Sequence, residues 1–177
     1  SSKSDTLKFV KNFKIAENTK SLAYNTTGYN STKSGVYLYN IDSKESKLVF
    51  ESHEKTNYPQ LSIAASGLKI AFVADADSTK ALIKKPSLFS WEKGLEMAKE
   101  IVQSKKYSSK LLVSGDARLQ FSEDEKRLFF GLRETPILQD PDKLDEEIVN
   151  VEVWTYDEPR LYTVQELQVN NDKKKSF

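Results

Sequence analysis

The chain has 177 residues, with 27 Lys plus Arg against 26 Asp plus Glu for a net charge of +1, and it has no cysteine. Charge so evenly balanced gives no support to a dedicated nucleic-acid or acidic-lipid surface. The lack of cysteine excludes disulfides and thiolate metal sites but does not decide the compartment. No apolar run approaches the roughly 18 residues of a membrane span, and no signal-peptide pattern is read in the first residues given.

In chain order, residues 1–8 are polar and expected to fray. Phe9 to Ile15 and Ser21 to Thr26 read as two strands of a first hairpin, followed by a loop rich in Asn, Thr, Ser and Gly over 27–35. Val36 to Ile41 and Lys47 to Phe50 complete a first unit. A polar bridge over 51–58 carries the one histidine, His53. A second unit runs from Gln60 to about Val102, interrupted by Asp75-Ala76-Asp77-Ser78-Thr79. Lys93 to Lys99 reads as a loop rather than a helical turn. Leu111 to Val113 is expected as a short additional strand before a third unit. That unit carries a long insertion, Arg133 to Glu146, with acids at Asp140, Asp142, Asp145, Glu146 and Glu147. Its last strands are expected at Ile148 to Tyr156 and Leu161 to Leu167.

One pattern recurs. LQFSEDEKRLFFGL (119–132) has an apolar start, a turn at Ser122-Glu123-Asp124-Glu125 and an apolar run, Leu128-Phe129-Phe130. LSIAASGLKIAFVA (61–74) repeats it, with Ile63 for Phe121, Gly67 for Glu125 and Ile70-Ala71-Phe72 for the run. FKIAENTKSLAYNT (13–26) repeats it again, with Ile15, then Glu17-Asn18-Thr19, then Leu22-Ala23-Tyr24. The runs end at Tyr24, Phe72 and Phe130, spacings of 48 and 58 residues, and repeats of that length are typical of four-stranded propeller blades. A second motif follows each hairpin: Leu38-Tyr39-Asn40-Ile41-Asp42, Leu88-Phe89-Ser90-Trp91-Glu92 and Val153-Trp154-Thr155-Tyr156-Asp157. The alternation marks a two-faced strand ending in a turn. The expected fold is all-β, a partial β-propeller of about three four-stranded antiparallel blades at 9–50, 60–102 and 111–167, cut from a longer chain. The recurring aromatics Tyr39, Phe89, Trp91, Trp154 and Tyr156 are expected to pack between blades.

The hairpin motif resembles the WD-like repeat of TolB-type propellers, whose usual form is apolar-Ser-Pro-Asp-Gly, a basic residue and an apolar strand. Phe121 to Leu128 matches, except that Glu123 replaces the proline and Glu125 the glycine; the first copy is degenerate. LFFGLRETP (128–136), VEVWTYDEPRL (151–161) and VQEL (164–167) are similar to the N-terminal propeller of prolyl oligopeptidase-family, dipeptidyl-peptidase-like serine peptidases. In that family the propeller is a non-catalytic gate over an α/β-hydrolase domain. The resemblance implies a scaffold or substrate-access module, in a periplasmic or secreted setting, whose hydrolase domain lies outside this chain. The competing reading is a TolB-like protein–protein interaction propeller with no enzyme attached.

The residues themselves carry no catalytic signature. There is no Gly-x-Ser-x-Gly elbow, and His53, the sole base of its type, has no motif around it and reads as an exposed loop residue. No catalytic, cofactor-binding or metal-binding residue is assigned. One histidine and no cysteine exclude the usual zinc sets. Asp75 and Asp77, or the acids of 140–147, could supply oxygens to calcium but lack the glycine and spacing of an EF-hand, which leaves solvated acidic loops as the plain reading. Lys84-Lys85 and Lys173-Lys174-Lys175 read as solvated charge. The expected partners are a peptide substrate or a protein partner, the missing blades and hydrolase domain, and other copies of the chain. Self-association is expected because three blades cannot close a ring, leaving apolar faces near Tyr39 and Trp154.

Overall fold

The computed structural model describes residues 6–27, 33–53, 55–76, 80–103 and 110–136. Among them there is no helix. Two four-stranded antiparallel sheets follow the chain in order: β1 (Val10–Ile15), β2 (Ser21–Thr26), β3 (Gly35–Asn40) and β4 (Glu45–Glu51), then β5 (Asn57–Ile63), β6 (Lys69–Asp75), β7 (Ser87–Glu92) and β8 (Lys99–Gln103). Each strand pairs antiparallel with its neighbour in the chain, which makes both sheets meanders. The third unit holds β9 (Leu111–Val113), β10 (Gln120–Phe121), β11 (Leu128–Phe129) and β12 (Leu132–Glu134), paired as β9–β12 and β10–β11.

All three recurring segments form hairpins in one register. Ile15 pairs with Leu22, Ile63 with Ile70 and Phe121 with Leu128. Each hairpin is closed by the same backbone bond: Ala16 N–H to Ser21 O (2.9 Å), Ala64 to Lys69 (2.9 Å) and Ser122 to Arg127 (3.0 Å). Gly67 (φ 70°) and Glu125 (φ 54°) occupy equivalent turn positions, and both are left-handed. Glycine takes that conformation freely, whereas a side chain there costs about 1–2 kcal/mol. Thr19, at the same place in the first copy, is not left-handed, so its turn takes another path.

The start of each hairpin is also alike. Pairing slips between Val10 and Asn12 in the first unit and between Asn57 and Gln60 in the second. In the third the slip widens into the break between β9 and β10. The pairing of Leu132, Arg133 and Glu134 with Val113, Leu112 and Leu111 therefore corrects the expected insertion from Arg133: its first residues are strand. β9 is held there because Leu112 and Val113, adjacent and so on opposite faces of the strand, are both buried. Only pairs, not a four-stranded sheet, are found among the third unit's described residues. The strands expected at 148–156 and 161–167, with Trp154 and Tyr156, lie outside them, as do Asp77 and 140–147. Lys93 to Lys99 is loop up to β8, with one isolated bridge between Lys93 and Leu95.

Side-chain alternation sets how the units stack. Ala23, Val36 and Val49 of the first sheet share a core with Tyr58, Leu61, Ile70, Phe72 and Trp91 of the second. Phe50 reaches into this joint against Phe89 (ring centroids 4.6 Å apart), and Phe89 stacks on Phe72 at 5.3 Å. The opposite face of the second sheet, Ala71, Val73 and Leu88, shares a core with Val113 and Leu119, joined by Phe121, Leu128 and Phe130. Burying each large side chain fully is worth about 1.5–3 kcal/mol. Tyr24, Tyr37 and Tyr39 form a third cluster on the far face of the first sheet with Leu7, Val10, Leu22 and Leu48; the rings of Tyr24 and Tyr37 stack at 5.1 Å.

The second motif needs a correction of register. Tyr39 pairs with Leu22, and its counterpart opposite Ile70 is Trp91, not Phe89; Phe89 corresponds to Tyr37. The shift is two residues, so it preserves which face each residue occupies, and the expectation that these aromatics pack between layers holds for Trp91 and Phe89. Tyr39, expected between blades, lies instead on the outer face of the first sheet, buried within the tyrosine cluster rather than open.

A Cβ on Gly67 would meet Thr19 Oγ1 at 2.5 Å and Ser21 Cβ at 3.1 Å, in a backbone region that a β-branched residue resists. Gly67→Val is expected to destabilise the fold by about 1–3 kcal/mol. Thermal or urea unfolding measures it, and an unchanged midpoint would contradict the shared turn geometry.

Candidate functional site

The three first strands stand near one another, because β5 lies against both β1 and β10. Their apolar residues, Leu61 with Ile63 and Leu119 with Phe121, enter the joints already described. Between these stand polar residues, and Lys14, Gln60, Ser62, Arg118, Gln120 and Glu123 border a groove of about 380 Å³ that spans all three units. Hydroxyl, amide and both signs of charge face it. Such a lining offers hydrogen bonds to an extended polar ligand but assembles no acid–base pair with a nucleophile.

The turns at one end of the groove are tied in a row. Asn18 N–H donates to Ala65 O at 2.9 Å, joining the first turn to the second. Ser66 donates twice to Glu125, from its backbone N–H to Oε1 and from Oγ to Oε2, both at 2.7 Å. Lys69 Nζ donates to the Glu125 carbonyl oxygen at 2.7 Å, joining the second turn to the third. The Ser66 hydroxyl, and next its backbone amide, hold the Glu125 carboxyl below its ordinary value of 4.5. These charge-assisted bonds offset the left-handed backbone that Glu125 must adopt. Within the third turn, Ser122 Oγ donates to Asp124 Oδ1 (2.6 Å) and accepts from Arg127 N–H (3.0 Å); that hydroxyl is the main reason the Asp124 carboxyl is also lowered.

A second concavity, about 490 Å³, opens between the β4 end of the first sheet and β6 to β8 of the second. Phe50 and Phe89 line it, together with His53, Lys85, Glu100 and Gln103. His53 is exposed at its border, as its loop position implied. Ser52 beside it is no activated nucleophile: its hydroxyl is engaged with Ser34 Oγ, with the His53 carbonyl and, closely, with Tyr58 OH. Burial pushes the Tyr58 phenol up to about 12, so it remains a neutral hydrogen-bonding group.

Two expected solvated charges are otherwise employed. Asp75 is the last residue of β6, buried, with its carboxylate 3.4 Å from Lys84 Nζ. The Lys84 carbonyl in turn accepts from Arg133 Nη2 at 3.5 Å, so this lysine ties the second unit to the third rather than standing free. Among the described residues, no group of three His, Asp or Glu side chains could hold a metal ion. The Ser66–Glu125–Lys69 latch has a sequence signal only in hindsight of the alignment: Glu125 replaces the turn glycine, and a strained position kept by an acid asks for a partner. Comparison with protein-family models, curated proteins and solved structures finds no match to this chain.

Because the Glu125 carboxyl is lowered in the folded state, its stabilising contribution is complete above the unfolded value and is lost as pH falls through the folded one. The melting temperature is therefore expected to drop as pH is lowered below about 4.5. Glu125→Gln should melt lower at pH 7 and show a shallower acid slope. Parallel melting curves of the two proteins from pH 7 to pH 3 would speak against the latch.

Proposed function

We propose that this chain is a non-catalytic β-propeller segment, three consecutive blades serving as scaffold and substrate-access module of a serine peptidase of the prolyl oligopeptidase family, in the periplasm or secreted. One observation carries the reading: three hairpins of identical register, with their first strands gathered around a polar groove. Repetition of a unit that buries its faces only against its neighbours is the physical basis of propellers and solenoids. The motif resemblance noted in the sequence supplies the peptidase connection.

In this role the segment's contribution is steric. Polar walls built from Lys14, Gln60, Ser62, Arg118 and Gln120 suit passage of an extended peptide, whose backbone offers donors and acceptors throughout. Chemistry would belong to a hydrolase domain with its own Ser-Asp-His set, and His53 with Ser52 has no part in it. The purified chain is expected to hydrolyse no proline-containing chromogenic peptide. Turnover that survives repurification and stops with a serine-directed inhibitor would refute the non-catalytic assignment. Reading the coding sequence beyond Phe177 tests the connection itself. A Gly-x-Ser-x-Gly followed by Asp and His supports the peptidase, and its absence supports an interaction propeller without enzyme.

A further inference from the structure

The joint between the first two sheets is packed at its middle and open at the end where the 490 Å³ concavity lies. The last strand pair of each sheet carries a bulge at the same place. In the first sheet Val36 pairs with Phe50 but Tyr37 with Leu48, so Val49 is the extra residue. In the second, Leu88 pairs with Val102 but Phe89 with Glu100, so Ile101 is the extra residue. A bulge shifts the alternation by one and sends the residues on its two sides to opposite faces. Phe50 is thereby turned into the joint while Leu48 joins the tyrosine cluster. Likewise Glu100 lines the concavity while Val102 packs toward the third unit. Glu100 thus stands at the position that Leu48 fills in the first unit. A carboxylate there, with the small Ala74 and Ser87 lining the same concavity, leaves the space open rather than packed.

The opening is preformed. Phe50 and Phe89 are half-buried and line it, and each packs on the completely buried Phe72, with ring centroids 5.1 and 5.3 Å apart. On the first sheet's side the His53 carbonyl accepts from Ser34 Oγ at 3.1 Å and from Thr56 N–H at 3.0 Å, which fixes that wall. The carboxylates of the rim already have partners: Glu51 pairs with Lys33 at 2.8 Å, and Glu100 accepts from the Gln103 amide. Aromatic faces under a rim of donors and acceptors, without a surplus of one charge, suit a neutral ligand that joins a ring to amide groups.

We propose that this concavity binds one aromatic side chain of a peptide, its ring laid on Phe50 and Phe89 and its flanking amides on the rim. The occupant is a residue within a chain rather than a free amino acid, because a free one brings two charges to carboxylates that are already matched. The volume lies within the range of about 300–1,000 Å³ usual for such sites. Both walls belong to described strands of two adjoining sheets, away from the polar groove. The inference does not rest on a peptidase role, so it stands or falls separately from the absence of hydrolysis.

Titration of the 177-residue chain, followed by NMR on its backbone amides, tests the proposal with three probes. They are acetyl-Ala-Phe-Ala-amide, the same peptide with Leu for Phe, and free phenylalanine. The Phe peptide is expected to bind with a Kd on the order of 1 mM and to shift the amides of Thr56, Ser87, Phe89 and Gln103. The Leu peptide and free phenylalanine are each expected to bind at least about tenfold more weakly. Ala76 is exposed at the border, so Ala76→Trp places the chain's own indole at the mouth and should weaken the Phe peptide at least about tenfold. Ser87→Phe fills the same space from β7 and provides an independent variant; dispersed amide signals show that each variant keeps its sheets. Equal affinity for the Leu peptide, or tighter binding of free phenylalanine, overturns the proposal. So does the absence of shifts at about 10 mM Phe peptide, or shifts confined to Lys14, Gln60 and Ser62 of the groove. Undiminished binding by either folded variant overturns it equally.

Discussion

Strand β6 is buried on both faces from Ile70 to Asp75, and the architecture depends on satisfying that constraint. A strand with apolar residues on both sides cannot be covered by one layer. Its Ile70 and Phe72 need the first sheet, and its Ala71 and Val73 need the third unit. The second unit is therefore stable only between two neighbours. The face of the second sheet toward the third unit carries small and β-branched side chains, Ala71 and Val73, and the face toward the first sheet carries Phe72, Phe89 and Trp91.

Hydrophobic stacking alone would leave the units free to slide along their strands, since apolar contact is not directional. The turns remove that freedom. Asn18 to Ala65 and Ser66 to Glu125 fix the height of one hairpin against the next, and Gln60 Nε2 donating to Gly115 O at 3.0 Å adds a further tie between the second unit and the third. With the height fixed, the polar residues of three separate strands come to border one groove. The groove is thus a product of the latches as much as of the strands.

Much of this was legible in the sequence, and the reasons differ by element. The hairpins could be read because strand alternation and turn chemistry act over a few residues, and three copies reinforce one another. The positions of Gly67 and Glu125 in the turn followed from that alignment, and both prove left-handed. The second motif was misregistered by two residues because Tyr39-Asn40-Ile41 and Phe89-Ser90-Trp91 have the same polarity pattern; only the pairing of Tyr39 with Leu22 and Trp91 with Ile70 separates them. The strand at Leu132 was missed because its partner, Val113, is far back along the chain and only three residues pair. The latch at Ser66 and the ion pair of Asp75 with Lys84 depend on which turns and loops meet in space. No local pattern encodes that.

The row of turns is the part of this account most exposed to direct measurement, through amide hydrogen exchange followed by NMR. Turn amides at a sheet end normally face water and exchange at nearly unprotected rates. If the hairpins stand side by side as described, the Asn18 and Ser66 amides, which donate across units, should be slowed by at least about 100-fold relative to unstructured peptide. They should lose that protection together with the Ala16, Ala64 and Ser122 amides when the chain unfolds. Unprotected exchange at Asn18 and Ser66, with those three hairpin-closing amides still slow, would mean that the hairpins form but do not stack in this row.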